Sequence, residues 1–456
     1  MKKPYSQAAQ YIAQLKSIES QINQNQLQQA AQQLTLLTRT AAHDPRLFLL
    51  GSRLAEAAGN PDGMLQAARR AHQLAPQWPT ATIYLSGVLA SRDEAEEAMS
   101  LAGQAVHGSN DAALLTQAAA VAQRVSLFSQ SLQWLRQAEQ VKPADPVLRH
   151  QIARSLSATG DHASAIALFT DLLQQQPNSP ALLLDRLRAC LSARQIEQAI
   201  LDGEALLTME PNNEAYQFYL DRARGLTPQT QPAALIADLF DGFAPRYDRH
   251  WAVQLHYKLP RDVARMINDW HPDRKGDVLD LGCGTGLLGA CLGPIEGVLV
   301  GVDLSGAMIA QAGRHRVYDS FHQVNLLAAL QATPESLYHV ITALDVLNYV
   351  GSLESVIPNA FRILVPGGRF VFSCEASAGN EAETGLGYSL PETYRYTHQR
   401  SYVQRLLEEA GFKDAAFEDR VLRYEAEQPV HGFLVAARKQ QVAEKKPARK
   451  RALKNA

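Results

Sequence analysis

Apolar and polar residues follow two different rhythms along this chain, and the change of rhythm divides it. Up to about residue 225 the apolar positions recur at helical spacing, as with Leu27, Leu34 and Leu37 among Gln21, Gln24, Gln26, Gln28, Gln29, Gln32 and Gln33. Prolines and small residues return at a fixed interval: Pro143, Pro177 and Pro211 are 177 − 143 = 34 apart, as are Pro146 and Pro180, Ala165 and Ala199, and Pro45 and Pro79. Gly59-Asn60 and Gly160-Asp161 mark equivalent turns. The period predicts helix–turn–helix repeats starting near Pro45, Pro79, Ala112, Pro146 and Pro180. An irregular helix pair over residues 6–42 precedes them, and a helix from Glu214 to Arg224 caps them. Gly225 to Pro232, with prolines at 228 and 232, cannot continue a helix and reads as the linker.

Beyond it the apolar runs shorten to strand length. Val278–Leu281, Gly297–Val302, Phe321–Leu326 and His339–Ala343 read as four strands, and Pro366-Gly367-Gly368 turns the chain into a fifth at Arg369–Ser373. Residues Ala415–Tyr424 and Gly432–Ala437 read as a closing hairpin. Helices are expected from Leu287, over Tyr402–Ala410, and over Ile236–His250, whose Phe240, Phe243 and Tyr247 either cover a ligand or pack on the sheet. Strands alternating with helices imply a doubly wound α/β sheet.

Composition narrows the function. At 456 residues and 46% hydrophobic the chain can build two or three cores. No apolar run approaches the roughly 18 residues of a membrane span, and the polar N-terminus lacks a leader's apolar stretch, so a cytoplasmic location is expected. Cys190, Cys283, Cys291 and Cys374 form no Cys-x-x-Cys pair, which suggests neither a zinc site nor a disulfide framework. Residues 1–225 carry 19 basic and 20 acidic side chains, residues 226–438 carry 18 and 25, and residues 439–456 carry 7 and 1. A second half at 18 − 25 = −7 argues against a nucleic-acid partner, and the basic tail is expected to be solvated and disordered.

The candidate chemistry lies at Asp280-Leu281-Gly282-Cys283-Gly284-Thr285-Gly286, where a buried strand runs into a glycine-rich turn at a helix start. Glycines at alternate positions let a ligand lie against the backbone. Asp303 follows the next strand, 303 − 280 = 23 residues after Asp280, where a carboxylate would hold a ribose diol. A nucleotide-like ligand is expected. A dinucleotide register through Gly284, Gly286 and Gly289 also exists in the sequence, displaced two residues into the helix.

The glycine run resembles motif I of the class I methyltransferases that use S-adenosyl-L-methionine, and the resemblance extends over roughly residues 235–438. The 34-residue period resembles the tetratricopeptide repeat, although Phe48, Leu115, Arg149 and Leu183 stand where tryptophan is common. Together they imply an α-solenoid of tetratricopeptide repeats (1–225), a linker (226–234), an α/β Rossmann-like class I methyltransferase domain (235–438) and a basic tail (439–456). The resemblance implies that S-adenosylmethionine meets Asp280, Gly282, Cys283, Gly284, Gly286, Asp303, Leu304, Met308, Asn325, Leu326 and Leu344. Asn325 takes the place of an aspartate that usually holds the adenine amino group. Phe240 to Asp248 resembles a segment that lies over the cofactor, so Tyr247 is expected beside the methyl group. Tyr394-Arg395-Tyr396-Thr397-His398 resembles a substrate-side segment, and His398 is expected to orient or deprotonate the acceptor. Asp345, after the fourth strand, joins Tyr247 and His398 as a catalytic candidate. No metal is needed, and the acceptor atom stays open. The leading reading is a methyltransferase whose solenoid recruits a protein partner or substrate. The alternatives are an enzyme of a small molecule, lipid or carrier-bound acyl group with the solenoid as assembly module, and a cofactor-binding scaffold without transferase activity.

Overall fold

The computed structural model describes residues 4–244, 247, 257–377, 385–425 and 428–441. Most of the segment from Pro245 to His250, Tyr247 excepted, and the basic tail beyond Gln441 lie outside the described residues. The chain forms two compact units, Met1–Pro211 and Asn212–Ala456.

The first unit is all helical. A pair α1 (Pro4–Asn23) and α2 (Leu27–Thr40) precedes five further pairs: α3 (Pro45–Ala57) with α4 (Pro61–Leu74), α5 (Pro79–Ser91) with α6 (Ala95–Val106), α7 (Ala112–Arg124) with α8 (Phe128–Val141), α9 (Pro146–Ala158) with α10 (His162–Gln175), and α11 (Pro180–Ser192) with α12 (Ile196–Met209). Each pair opens on the residue that the period marks. Proline at the first helical position costs no hydrogen bond there, and Asp44, Asp111 and Asp145 cap α3, α7 and α9 by accepting from backbone N–H groups. Within each pair the turn needs one residue at positive φ, and Gly59, Asp93, Ser126, Gly160 and Arg194 supply it at φ +66°, +62°, +62°, +86° and +58°. Their spacings of 34, 33, 34 and 34 locate the short repeat between Asp93 and Ser126. Only two of the five are glycine, so three turns hold a strained non-glycine residue against tight packing. Ala98, Ser131, Ala165 and Ala199 are fully buried at equivalent positions, where larger side chains would hold the paired helices apart.

The second unit opens with α13 (Glu214–Ala223) and α14 (Ala233–Phe243), then α15 (Leu259–Trp270). Among the described residues a nine-stranded sheet follows: β1 (Val278–Leu281), β2 (Leu299–Asp303), β3 (Ser320–Gln323), β4 (Tyr338–Ala343), β5 (Leu364–Ala376), β6 (Tyr388–Ser389), β7 (Thr397–His398), β8 (Phe412–Glu425) and β9 (Gln428–Lys439). The order is β3-β2-β1-β4-β5-β7-β6, with β9 antiparallel to β5 and β8 antiparallel to β9. Crossovers between the parallel strands run through α16 (Leu287–Leu292), α17 (Gly306–Ala312), α18 (Leu326–Ala332) and α19 (Val356–Ile363), and α20 (Arg400–Ala410) precedes β8. Strands β1 and β4 are buried along most of their length, as parallel strands covered on both faces must be. The strand order reverses between β1 and β4, so a crevice opens beyond their carboxyl ends.

Two expectations about organisation change. The helix read as the solenoid's cap, α13, belongs to the second unit: Phe218 and Tyr219 pack around Tyr394, and Arg222 donates to Leu390 O and Pro391 O at 3.1 Å while lying 4.5 Å from the Tyr394 ring. The stretch read as a linker is also fixed. Gln229 O accepts from Gly351 N at 2.8 Å and Ser352 N at 2.9 Å, and Gln231 N donates to Tyr349 O at 3.1 Å, so Thr230 bridges Val350 as a short antiparallel edge. The prolines at 228 and 232 do stop a helix, but they leave an extended segment with backbone groups free to pair.

Candidate active site

The glycine turn joins β1 to α16. Gly282, Gly284 and Gly286 all have positive φ, at +67°, +53° and +82°. Their surroundings differ. A Cβ on Gly282 would meet Val346 Cγ2 at 2.5 Å, and one on Gly286 would meet Ala312 at 3.0 Å, whereas one on Gly284 would face only the Tyr247 ring, 3.9 Å away. Gly284 is therefore the one of the three where an added Cβ would meet no close contact, only the Tyr247 ring at ordinary distance. Gly289 is a packing glycine: a Cβ there would lie 2.3 Å from Tyr318 Cε2. With Gly286 as N-cap of α16, the dinucleotide register is not adopted.

Asp303 ends β2 and turns back over the loop. Its Oδ2 accepts from Gly284 N at 2.8 Å and its Oδ1 from Ser305 N at 2.9 Å. Burial pushes this carboxyl up from its ordinary value, opposed by those backbone N–H groups. Asp280 is buried behind the loop, with Oδ2 accepting from Tyr318 Oη at 2.7 Å and Oδ1 from Thr342 Oγ1 at 2.8 Å. Burial pushes it up to about 6, in spite of the two hydroxyl donors.

A cleft lies beyond the strand ends, where a doubly wound sheet holds its ligands. Gly282, Gly284, Asp303, Leu304, Met308, Asn325, Leu326, Leu344, Asp345 and Tyr247 all line it. An adjoining chamber of about 330 Å³ takes in Asp280 and Cys283 and shares Tyr247, Gly282, Gly284 and Leu344. Gly286 lines neither space; it acts through the backbone turn. Cys283 aims its sulfur at Gly301, where a Cβ would come within 2.9 Å of Sγ. Asn325 caps α18, its Oδ1 accepting from Leu327 N at 2.8 Å. One wall is aromatic: Phe240 of α14 lies edge-on to Tyr247 and Tyr349, with ring centroids 6.3 and 5.4 Å away. Asp241 pins α14 over the cleft by accepting from Ser305 Oγ at 2.5 Å and from Ala307 N at 3.3 Å.

His398 is not brought to this cleft. It is fully buried on β7, where Nε2–H donates to Val350 O and Gly351 O, both at 3.0 Å, and Tyr402 stacks at 6.5 Å. Burial pushes its pKa down to about 4, so the imidazole is neutral. The segment expected to be a substrate-side loop pairs instead with β5 and β6, and the histidine ties β7 to the turn after β4.

The sequence reading also missed a cluster at the carboxyl ends of β4, β5 and β8. Arg423, only 1% exposed, reaches Asp345 Oδ1 and Glu375 Oε1 at 2.5 Å each and Glu425 at 2.7 Å. Arg395 contacts both glutamates, and Asn348 Nδ2 donates to Glu375 at 3.1 Å. The available signal was an arginine directly after Val421-Leu422 and a glutamate at the end of the run Phe370–Cys374.

Residues 251–416 match the family model of a methyltransferase domain, and residues 156–217 match that of a tetratricopeptide repeat. Curated relatives include a ubiquinone biosynthesis O-methyltransferase of Pseudomonas fluorescens Pf-5, 30% identical over 142 residues, which are 29% of this chain and 60% of that protein. Another of the same description, from Pseudomonas putida GB-1, is 28% identical over 35% of this chain and 72% of its own. The chain thus spans about 60% of the first relative's length. Among solved structures, a methyltransferase of Thermotoga maritima described as a possible histamine N-methyltransferase covers 45% of this chain and all of its own, at 16% identity and TM-score 0.34. YrrB, a tetratricopeptide protein with an unusual peptide-binding site, covers 42% of this chain and 98% of its own, at 16% identity and TM-score 0.35. The chain thus joins a region that matches tetratricopeptide repeats to one that matches a methyltransferase domain.

Proposed function

We propose that this protein transfers a methyl group from S-adenosylmethionine to a hydroxyl oxygen of a small, largely apolar acceptor. The observation that carries the reading is one cleft that brings together the glycine turn at Gly284, the Asp303 carboxylate, Asp345 and the aromatic rings of Phe240, Tyr247 and Tyr349, with the Tyr247 ring over Gly284. The cofactor supplies a methyl group activated on a sulfonium sulfur. Asp303 keeps lone pairs for a ribose diol while its backbone bonds hold it in place. The aromatic wall favours a cation by roughly 0.5–2 kcal/mol and excludes water from the displacement. The hydroxyl acceptor is supported by the O-methyltransferase relatives and by a cleft that offers the Asp345 carboxylate among apolar side chains. A hydroxyl has a single proton to donate there, whereas an ammonium group has three.

The protein with methyl-labelled S-adenosylmethionine and a panel of catechols and hydroxylated quinone precursors tests this. Label extracted with the organic acceptor supports the reading. Label that appears only in protein from an added lysate overturns the choice of acceptor.

A second element concerns the solenoid, for which a protein partner fits best. Helices α3, α5 and α7 border a groove that includes Gly87 and Ala120. Gly87→Arg should abolish co-purification of the partner with the tagged full chain while leaving cofactor binding unchanged. Retention of the same partner would remove the groove from consideration.

A further inference from the structure

Asp345 is held in a way that folding alone does not call for. It sits at φ +55°, in the left-handed region, with its side chain 3% exposed. One oxygen is fully engaged: Oδ1 accepts from Arg423 Nη1 at 2.5 Å and from Asn348 Nδ2 at 3.3 Å. The other, Oδ2, is buried and has no hydrogen-bond partner among the described residues, although Asp345 lines the cleft. A strained backbone and an unpaired carboxylate oxygen both oppose folding, and they persist together at one residue.

The surroundings of that oxygen have an odd charge. Arg423 and Arg395 face Asp345, Glu375 and Glu425, so the fully ionised cluster carries 2 − 3 = −1. Arg423 reaches it because the β8–β9 register shifts between Val421 and Arg423, and the consecutive residues Leu422 and Arg423 are both buried as a result. Tyr247, Tyr257 and, from the turn after β4, Tyr349 adjoin the same carboxyl, and burial pushes all three hydroxyls up.

We propose that Asp345 Oδ2 receives the proton of the acceptor hydroxyl, and that Arg423 and Glu375 are positioning residues that hold this carboxylate on the cleft wall with one proton's capacity to spare. The proposal rests on the methyl-transfer reading above. In the step, an acceptor oxygen lone pair forms the bond to the methyl carbon. The carbon–sulfur bond breaks with its electron pair going to sulfur, and the acceptor proton moves to Oδ2, from which water removes it after product leaves. Protonation takes the cluster from −1 to 0, which leaves no positive charge unpaired. Burial raises Asp345 to about 6, with Arg423 pulling it down and Glu375 pushing it up, so the group can both take and return a proton near neutrality.

The test is a side-chain carboxyl titration of the full-length protein by ¹³C NMR, with the Asp345 signal identified by its absence in Asp345→Asn. The expected midpoint is near pH 6. It should fall by about 0.5 unit or more in Glu375→Gln, which removes a negative neighbour, and rise in Arg395→Gln, which removes a positive one. The second variant decides the matter if the first fails to fold. An Asp345 signal that stays ionised down to pH 4, or a midpoint that neither variant moves, overturns the proposal. Calorimetric binding of S-adenosylhomocysteine reports the cofactor reading separately: intact binding with a non-titrating Asp345 sinks the proton acceptor alone.

Discussion

Replacing Asp303 by alanine is the sharpest perturbation of the cleft, because its two oxygens have separate duties. Each holds one backbone N–H, Gly284 at 2.8 Å and Ser305 at 2.9 Å, and each retains a lone pair for a ribose hydroxyl. Loss of hydrogen bonds from a charged acceptor costs roughly 1.5–3 kcal/mol in ligand affinity, which is a factor of about 10–150 in Kd. The free protein should also lose about 1–3 kcal/mol of stability, since two backbone donors lose their partner. Asp303→Asn keeps one side-chain acceptor oxygen and should fall between the wild type and Asp303→Ala on both scales. Isothermal calorimetry with S-adenosylhomocysteine gives the affinities, and denaturant unfolding without ligand gives the stabilities. The reasoning fails if folded Asp303→Ala binds within threefold of the wild type, because the carboxylate would then have no ligand to hold.

Three further outcomes follow from the same geometry. Asp280 is raised in the folded protein, so its contribution to stability is fully present below its unfolded value near 4 and is lost as the pH rises through about 6; denaturant unfolding at pH 4 and pH 7 should show a smaller loss over that interval in Asp280→Asn than in the wild type. Tyr318→Phe keeps the ring against Gly289 but removes the hydroxyl from Asp280 and from Gly289 N, and thermal unfolding should register a cost of about 1–2 kcal/mol. His398→Leu should cost roughly 2–4 kcal/mol of stability, because two buried carbonyls lose a donor, while the pH profile of methyl transfer by the folded fraction stays unmoved; a profile that changes shape would return His398 to the chemistry.

The meeting of the glycine turn with Asp303 was legible because it is local in sequence. Asp280 and Asp303, 303 − 280 = 23 residues apart, lie on adjacent parallel strands, so their spacing alone brings turn and acid together. The solenoid was legible for the same reason, since each helix contacts its sequence neighbours. The cluster around Asp345 was not. Asp345, Glu375, Arg395 and Arg423 come from four separate segments, and a bulge in β8 decides which way the arginine faces, a property that no short window of sequence carries. His398 misled because a histidine in a polar stretch looks solvated until a long-range pairing buries it. The supposed linker misled similarly, since prolines report the end of a helix and not the absence of a partner strand.

That bridged segment, Gln229 to Gln231, bears on where the second compact unit begins. The matched methyltransferase region begins at residue 251, yet the wall carrying Tyr349 and Val350 is completed by residues some twenty positions earlier. A recombination event that joined a foreign partner at residue 250 would inherit the glycine turn and Asp303 but leave Gly351 and Ser352 without their backbone acceptor. The compact unit is therefore longer than its motifs: it extends back through the bridged segment and α13 to Asn212.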